Sequence, residues 1–208
     1  FFFLFLTMGK SWVSFTRYLF NTLFVTVIGT AGHLLIASMG AFVLAKYEFP
    51  GAQTFFKLVT VSMMFVAQVT MIPNYLILNG MNMIDTYWAR IIPAWATSLG
   101  LYLMKQFMDT HVHDSVLESA RLDGASELRT YWTIAMPMVK PAWLTLIVYS
   151  FQGLWNAGSS IYIYSEQYKS FNYAIGQITA GGIKRAGASA AATVLMMIVP
   201  ILVFVVSQ

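Results

Sequence analysis

The chain has 208 residues, 58% of them hydrophobic and only 10% charged, with no cysteine and a mean hydropathy of +0.67. A soluble domain carries about a quarter charged residues, so a water-soluble globule is excluded. The missing cysteines exclude a disulfide-stapled secreted domain, and unbroken apolar runs exclude a membrane β-barrel, whose strands alternate over about ten residues. The net charge of +4 rests on basic residues that form no stripe, so the expected partner is a lipid bilayer and not nucleic acid.

Five windows hold no charged residue: 22–45, 58–84, 91–104, 141–165 and 186–208. A spanning helix needs about 20 mostly apolar residues, and on that measure the composition predicts an all-α transmembrane chain with five spans. Residues 1–6 are apolar but lack the basic flank and cleavage site of a signal peptide. The first span is expected over 21–45, closed by Lys46, Glu48 and Pro50-Gly51. The second covers 56–78 with Pro73-Asn74 inside it, and 79–85 is a polar turn. The third covers 87–107, with Pro93 near its start. Residues 108–140 are the one long polar stretch between spans. The fourth span is expected over 141–164, followed by a mixed loop to Arg185, and the fifth begins at Ala186 in a small-residue run. With no initiator Met and an end inside an apolar run, the chain reads as a fragment of a longer polypeptide. Lys and Arg divide six against six between the two sides, so the positive-inside rule gives no orientation.

The polar stretch has internal design. Ser115 and Glu118 have capping-box spacing, a helix is expected over 116–122, and Gly124 can take the left-handed conformation of a helix stop. Asp123 can cap a second helix running to about Ala135, which Pro137 and Pro141 end before the fourth span. Two short helices at an angle make a stiff elbow that transmits displacement.

Glu118-Ser119-Ala120, three residues, Gly124, nine residues, then Ile134-x-Met136-Pro137 resembles the coupling-loop motif of bacterial binding-protein-dependent ABC importer permeases. That motif reads Glu-Ala-Ala, three residues, Gly, nine residues, Ile-x-Leu-Pro. Ser119 and Met136 depart from it by small or volume-matched changes. The likeness continues through 122–125, 82–106, 141–156 and 46–51, and is similar to the sugar-transporting, maltose-type branch. It implies a type I importer permease fold with six spans in the full chain and the first absent from this fragment, residues 1–208 forming one transmembrane domain. It also implies that 108–140 is cytoplasmic and that Glu118, Ser119, Ala120, Arg121, Asp123, Gly124 and Ala125 couple to an ATPase through the 115–137 helices. The implied partners are a second homologous permease subunit, two ATPase subunits that bind ATP and Mg, and an extracytoplasmic solute-binding protein. The implied location is a bacterial inner or plasma membrane. No cofactor is expected in this chain. Gly9-Lys10-Ser11 lacks the first glycine of a phosphate-binding loop.

Other chemistries find little support in the residues. Asp109, His111, His113 and Asp114 lie on an exposed loop without a further Cys/His cluster, so no metal site is expected. His33 is expected to hydrogen-bond between helices. The spans contain no Asp or Glu, which argues against an ion-coupled secondary carrier or an intramembrane enzyme. Within the resembled family the alternative solutes are a polyamine or a glycerol phosphodiester. The substrate path is expected among Gln68, Asn74, Gln152, Trp155 and Asn156, because amides and aromatic faces suit a sugar.

Overall fold

The computed structural model describes residues 15–158, 160–181 and 186–207, so Gly9-Lys10-Ser11 lies outside the described residues. Regular structure among these residues is entirely helical. In chain order it comprises α1 (Phe15–Lys46), α2 (Ala52–Ser62), α3 (Ala67–Gly80), α4 (Trp88–Trp95) and α5 (Ser98–His111). Then follow α6 (Asp114–Leu122), α7 (Glu127–Met138), α8 (Lys140–Trp155), α9 (Phe171–Ala180) and α10 (Ala186–Ser207).

Among the described residues, two helices, α1 and α10, are long and apolar enough to cross a membrane. A third span is reached only if α7 and α8, bent by 83° at Val139, are counted as one. This corrects the expected five spans and the fold built on them. Hydropathy registers apolar content and not helix continuity. In the 56–78 window α2 stops at Ser62, and Met63, Met64 and Phe65 turn back onto carbonyls three residues earlier. In the 87–107 window the helix breaks at Ala96-Thr97, where Thr97 is extended. In the 141–164 window α8 ends at Trp155 after 16 residues. Conversely, α1 runs 32 residues because nothing from Tyr18 to Ala45 is proline or charged, and its last turn carries Lys46, which favours a helix C-terminus.

The chain forms two compact units. The first comprises Phe1–Thr30, Asn74–Ala94 and Val148–Gln208; the second comprises Ala31–Pro73 and Trp95–Ile147. The core of the first gathers Phe15, Tyr18, Phe151, Trp155, Phe171, Ala174, Ala192 and Met196. Its small-residue run lets α10 approach α9 closely, with Thr179 and Ser189 hydroxyls 2.8 Å apart. Pro200 lies inside α10 and has no N–H to give the Met196 carbonyl four residues back. The buried indole of Trp155 donates to that carbonyl at 2.9 Å. The expected mixed loop after the fourth span is ordered further along into α9, whose first turn is capped by Ser170 accepting from the Tyr173 N–H.

Turns of the first unit are bound side chain to backbone. The Asn21 amide donates to the carbonyls of Gln167 and Lys169 at 2.7 and 3.0 Å and accepts from the Tyr87 hydroxyl at 2.7 Å. Asp85 stands at φ 60 and accepts from the Tyr164 and Ser165 N–H groups at 2.9 and 2.8 Å and from the Ser165 hydroxyl. Burial pushes the Asp85 carboxyl up, but these bonds, with Lys169 nearby, outweigh it and hold the group below its ordinary value.

The second unit is built on Ala37, Ala41, Phe42, Met104, Met108, Leu117, Tyr131 and Leu146. His33 is buried, and its Nε2 lies 2.6 Å from the Thr97 hydroxyl, as expected of a histidine bonded between helices. Gly100 makes room for that ring: a Cβ there would meet Nε2 at 2.1 Å. One residue on from Thr97, Ser98 bonds to Ser62 at 2.6 Å, so the end of α2 meets the start of α5.

Candidate functional site: a helical elbow and a polar groove

The elbow is α6 and α7 in the second unit. Leu117 and Ala120 are buried, while Glu118, Ser119, Arg121 and Leu122 are exposed, the 3.6-residue pattern of a helix lying on a core. The cap differs from expectation. The helix starts one residue before Ser115, with His113 at the cap position and no side-chain cap, so Ser115 falls within the first turn. Its carbonyl accepts from the Ser119 hydroxyl at 2.9 Å.

The stop falls where the glycine predicts it. Gly124 has φ 79; its N–H reaches the Arg121 carbonyl at 3.0 Å, and the Ala125 N–H reaches the Ala120 carbonyl at 2.9 Å. Those two bonds are a Schellman closure. Asp123 does not cap the second helix; Ser126 does, accepting from the Arg129 N–H at 3.4 Å.

The second helix also runs past Ala135 to Met138. Residues Tyr131–Ala135 form a π turn in which the Met136 N–H donates to the Tyr131 carbonyl, five residues back. The Thr133 hydroxyl takes the Arg129 carbonyl at 2.6 Å, which favours the wider turn.

Three residues outside the elbow, Ser38, Lys46 and Tyr47, tie it to the rest of its unit. Lys46 pairs with Asp114 at 2.9 Å. The Tyr47 hydroxyl donates to Glu127, and Arg121 bridges to the same carboxylate at 2.9 Å with its guanidinium 5.5 Å over the Tyr47 ring. Inside, the Ser38 and Tyr131 hydroxyls are 2.6 Å apart. An apolar groove of about 300 Å³ lies beside these ties, walled by Met39, Phe42, Val43 and Leu128. Leu122, absent from the expected coupling residues, is 89% exposed at the tip of α6. The signal was present: with 117 and 120 inward, 122 must face out.

Asp109, His111 and Asp114 are each engaged elsewhere. Asp109 pairs with Lys105 at 2.6 Å, Asp114 pairs with Lys46, and His111 stacks on Phe107 at 5.2 Å. Among the described residues no three potential metal ligands come together.

Of the expected substrate-path residues, Gln152 and Asn156 are brought together. With Asn172, Thr193, Met196 and Ile201 they line a groove of about 470 Å³ in the first unit. The Asn172 amide donates to the Asn156 carbonyl at 2.7 Å. Trp155 is fully buried behind them, Asn74 is half-buried on α3 outside the residues lining this groove, and Gln68 belongs to the second unit.

Taken together, fold and site define a membrane-embedded, multi-helix protein with a polar helical elbow. Residues 8–208 match the family described as binding-protein-dependent transport system inner membrane component, and the chain belongs to that family. It is therefore a transport component and not an enzyme. It is 36% identical over 143 residues to Protein LplC of Bacillus subtilis, a match covering 69% of this chain and 48% of that protein. It is 30% identical over 149 residues to the sn-glycerol-3-phosphate transport system permease protein UgpE of Yersinia enterocolitica, covering 72% of this chain and 53% of the relative. A crystal structure of a bacterial ABC transporter involved in the import of the acidic polysaccharide alginate aligns with a TM-score of 0.82 at 25% identity, over 93% of this chain and 74% of that one. The chain thus spans about half the length of the curated relatives it matches. Polysaccharide and glycerol-phosphate systems are both among its relatives, so the likeness is to the family and not to a maltose-type branch within it.

Proposed function

We propose that the chain is the membrane-spanning subunit of an ATP-driven, binding-protein-dependent importer in a bacterial inner or plasma membrane. Residues 1–208 form its transmembrane domain, and 108–140 face the cytoplasm. A second homologous permease, two ATPase subunits holding ATP and Mg, and an extracytoplasmic binding protein complete the machine. The solute is a sugar, an oligosaccharide or a related small polar molecule, and Gln152 and Asn156 contact it. The names of the relatives support that class: one serves glycerol phosphate and another takes part in importing an acidic polysaccharide.

The observation that carries this reading is the elbow. A pair of helices with a buried Leu117/Ala120 seam, a left-handed stop at Gly124 and ties at Lys46, Tyr47 and Ser38 moves as one piece. Glu118, Ser119, Arg121 and Asp123 form its free surface, with Ala120 and Ala125 inside the turn. An ATPase closing against that surface displaces the helices behind it.

Gly124→Val tests the proposal in the complete importer. The space around Gly124 is open, so the cost is backbone strain alone, about 1–2 kcal/mol in the left-handed region. The expected result is retained ATP hydrolysis with transport reduced about tenfold or more, a loss of that free energy being worth roughly one decade per 1.4 kcal/mol. Gly124→Asn, which tolerates this conformation, should stay near wild type. Full-rate transport by the valine variant would overturn the lever.

A further inference from the structure

Among the described residues the first unit holds three cationic residues, Arg17, Arg90 and Lys169, against two acids, Asp85 and Glu166. The second unit holds six of each sign and is neutral. Both acids of the first unit are already occupied. Asp85 is bound by Tyr164 and Ser165, and Glu166 by the Tyr18 and Tyr173 hydroxyls at 3.0 Å each and by Lys169 at 2.6 Å.

Arg90 is left over. It lies partly buried on α4, and its guanidinium makes one hydrogen bond among the described residues, from Nη2 to the Ala157 carbonyl at 3.2 Å. The ion pairs found among the described residues are Lys46–Asp114, Lys105–Asp109, Arg121–Glu127 and Lys169–Glu166, and none involves Arg90. A guanidinium offers five N–H donors in a planar fork that fits a carboxylate or phosphate bidentately. Holding such a fork away from bulk water with one carbonyl is unfavourable, so ionisable groups of this kind in membrane proteins face a cavity or a partner. The carbonyl it grips is next in sequence to Asn156, whose side chain lines the polar groove with Gln152 and Asn172.

We propose that Arg90 recognises an oxyanion, carboxylate or phosphate, carried by the transported solute, so that the importer selects acidic sugars or sugar-like phosphates over neutral ones. The inference rests on the importer reading above. A lipid headgroup presents the same phosphate chemistry, and the test separates the two sources.

The complete importer is reconstituted in proteoliposomes and uptake is measured for trigalacturonate, sn-glycerol-3-phosphate and neutral galactotriose. Wild type should prefer at least one acidic solute to galactotriose. Arg90→Gln should raise KM for that solute at least tenfold with kcat little changed and abolish the preference, while basal ATP hydrolysis stays at the wild-type rate. Arg90→Lys should recover part of the affinity. An unchanged KM in Arg90→Gln would sink the inference, as would a wild-type preference for galactotriose. So would a fall in kcat and basal hydrolysis together at constant KM, the signature of a headgroup or scaffold contact. Absence of ATP-dependent uptake for all three solutes in wild type would take down the importer reading and this inference with it.

Discussion

The indole N–H of Trp155 donates to the main-chain carbonyl of Met196, 41 residues away, at 2.9 Å in the buried core of the first unit. The bond exists because Pro200 cannot serve that carbonyl from within its own helix. A proline tolerated inside a spanning helix needs such a donor from a neighbour, and here one tryptophan supplies it while filling the space between α8, α9 and α10.

Trp155→Phe should therefore cost about 1–3 kcal/mol, the penalty for stranding a buried acceptor, on top of a small packing loss. Adding Pro200→Ala restores a helix N–H to the Met196 carbonyl. In a double-mutant cycle read by thermal unfolding in detergent, the double variant should be more stable than additivity from the two single variants allows. Strict additivity would mean the bond carries no weight.

Leu122→Asp changes a residue that is 89% exposed and touches no core. A surface substitution of this kind shifts stability by no more than about 0.5 kcal/mol. Thermal stability of the isolated chain should hold, while co-purification with the ATPase subunit falls at least about tenfold, as for the loss of an apolar interface anchor worth roughly 2 kcal/mol. Undiminished co-purification would count against the proposed docking of an ATPase at this tip.

The Asp85 clamp gives a pH signature. Its carboxylate has a folded-state pKa below the ordinary value of 3.8. Stability from the clamp is therefore complete above the unfolded value and is lost only as pH falls through the lower folded value. Amide exchange at Tyr164 and Ser165, corrected for intrinsic rates, should stay protected from neutral pH down to about 4 and open below it. In Asp85→Asn the protection should be weak at every pH. Opening of the wild-type clamp near pH 6 would contradict this sign.

Gly100→Ala should destabilise the second unit by about 1–3 kcal/mol, the range for overpacking, because the new methyl would lie 2.1 Å from His33 Nε2 and that ring is held by Thr97. Combining it with His33→Ala should relieve most of the clash. Equal stability of Gly100→Ala and wild type in the same unfolding assay would show that the ring moves aside freely.

What the residue pattern revealed was local. A glycine after an amphipathic turn announces a left-handed stop, and Gly124 makes one. The Glu118–Pro137 spacing pointed to the family that residues 8–208 match. The helix breaks were hidden because they are tertiary. Ser62 and Ser98 meet each other, and His33 meets Thr97, across stretches far apart in sequence. Apolar windows containing such breaks look continuous to any count of hydrophobic residues. The Ser115 cap differs for another reason: Asp114, an acid favoured in a helix's first turn, is itself helical and also pairs with Lys46, so the helix begins ahead of Ser115. The isolation of Arg90 was illegible as well, since it depends on where Asp85 and Glu166 spend their charges.

The π turn at Tyr131–Ala135 has one more consequence. It accommodates a surplus residue, and on an α-helix each residue advances the azimuth by about 100°. A regular α ladder would carry that surplus as a rotation of roughly 100°, whereas the wide turn absorbs it, so Pro137 and the corner at Val139 keep nearly the azimuth of a helix one residue shorter. The heading on which α8 leaves the corner thus survives loss of the supernumerary amino acid, and it is forcing these five residues into regular α form without a deletion that would misaim the strut.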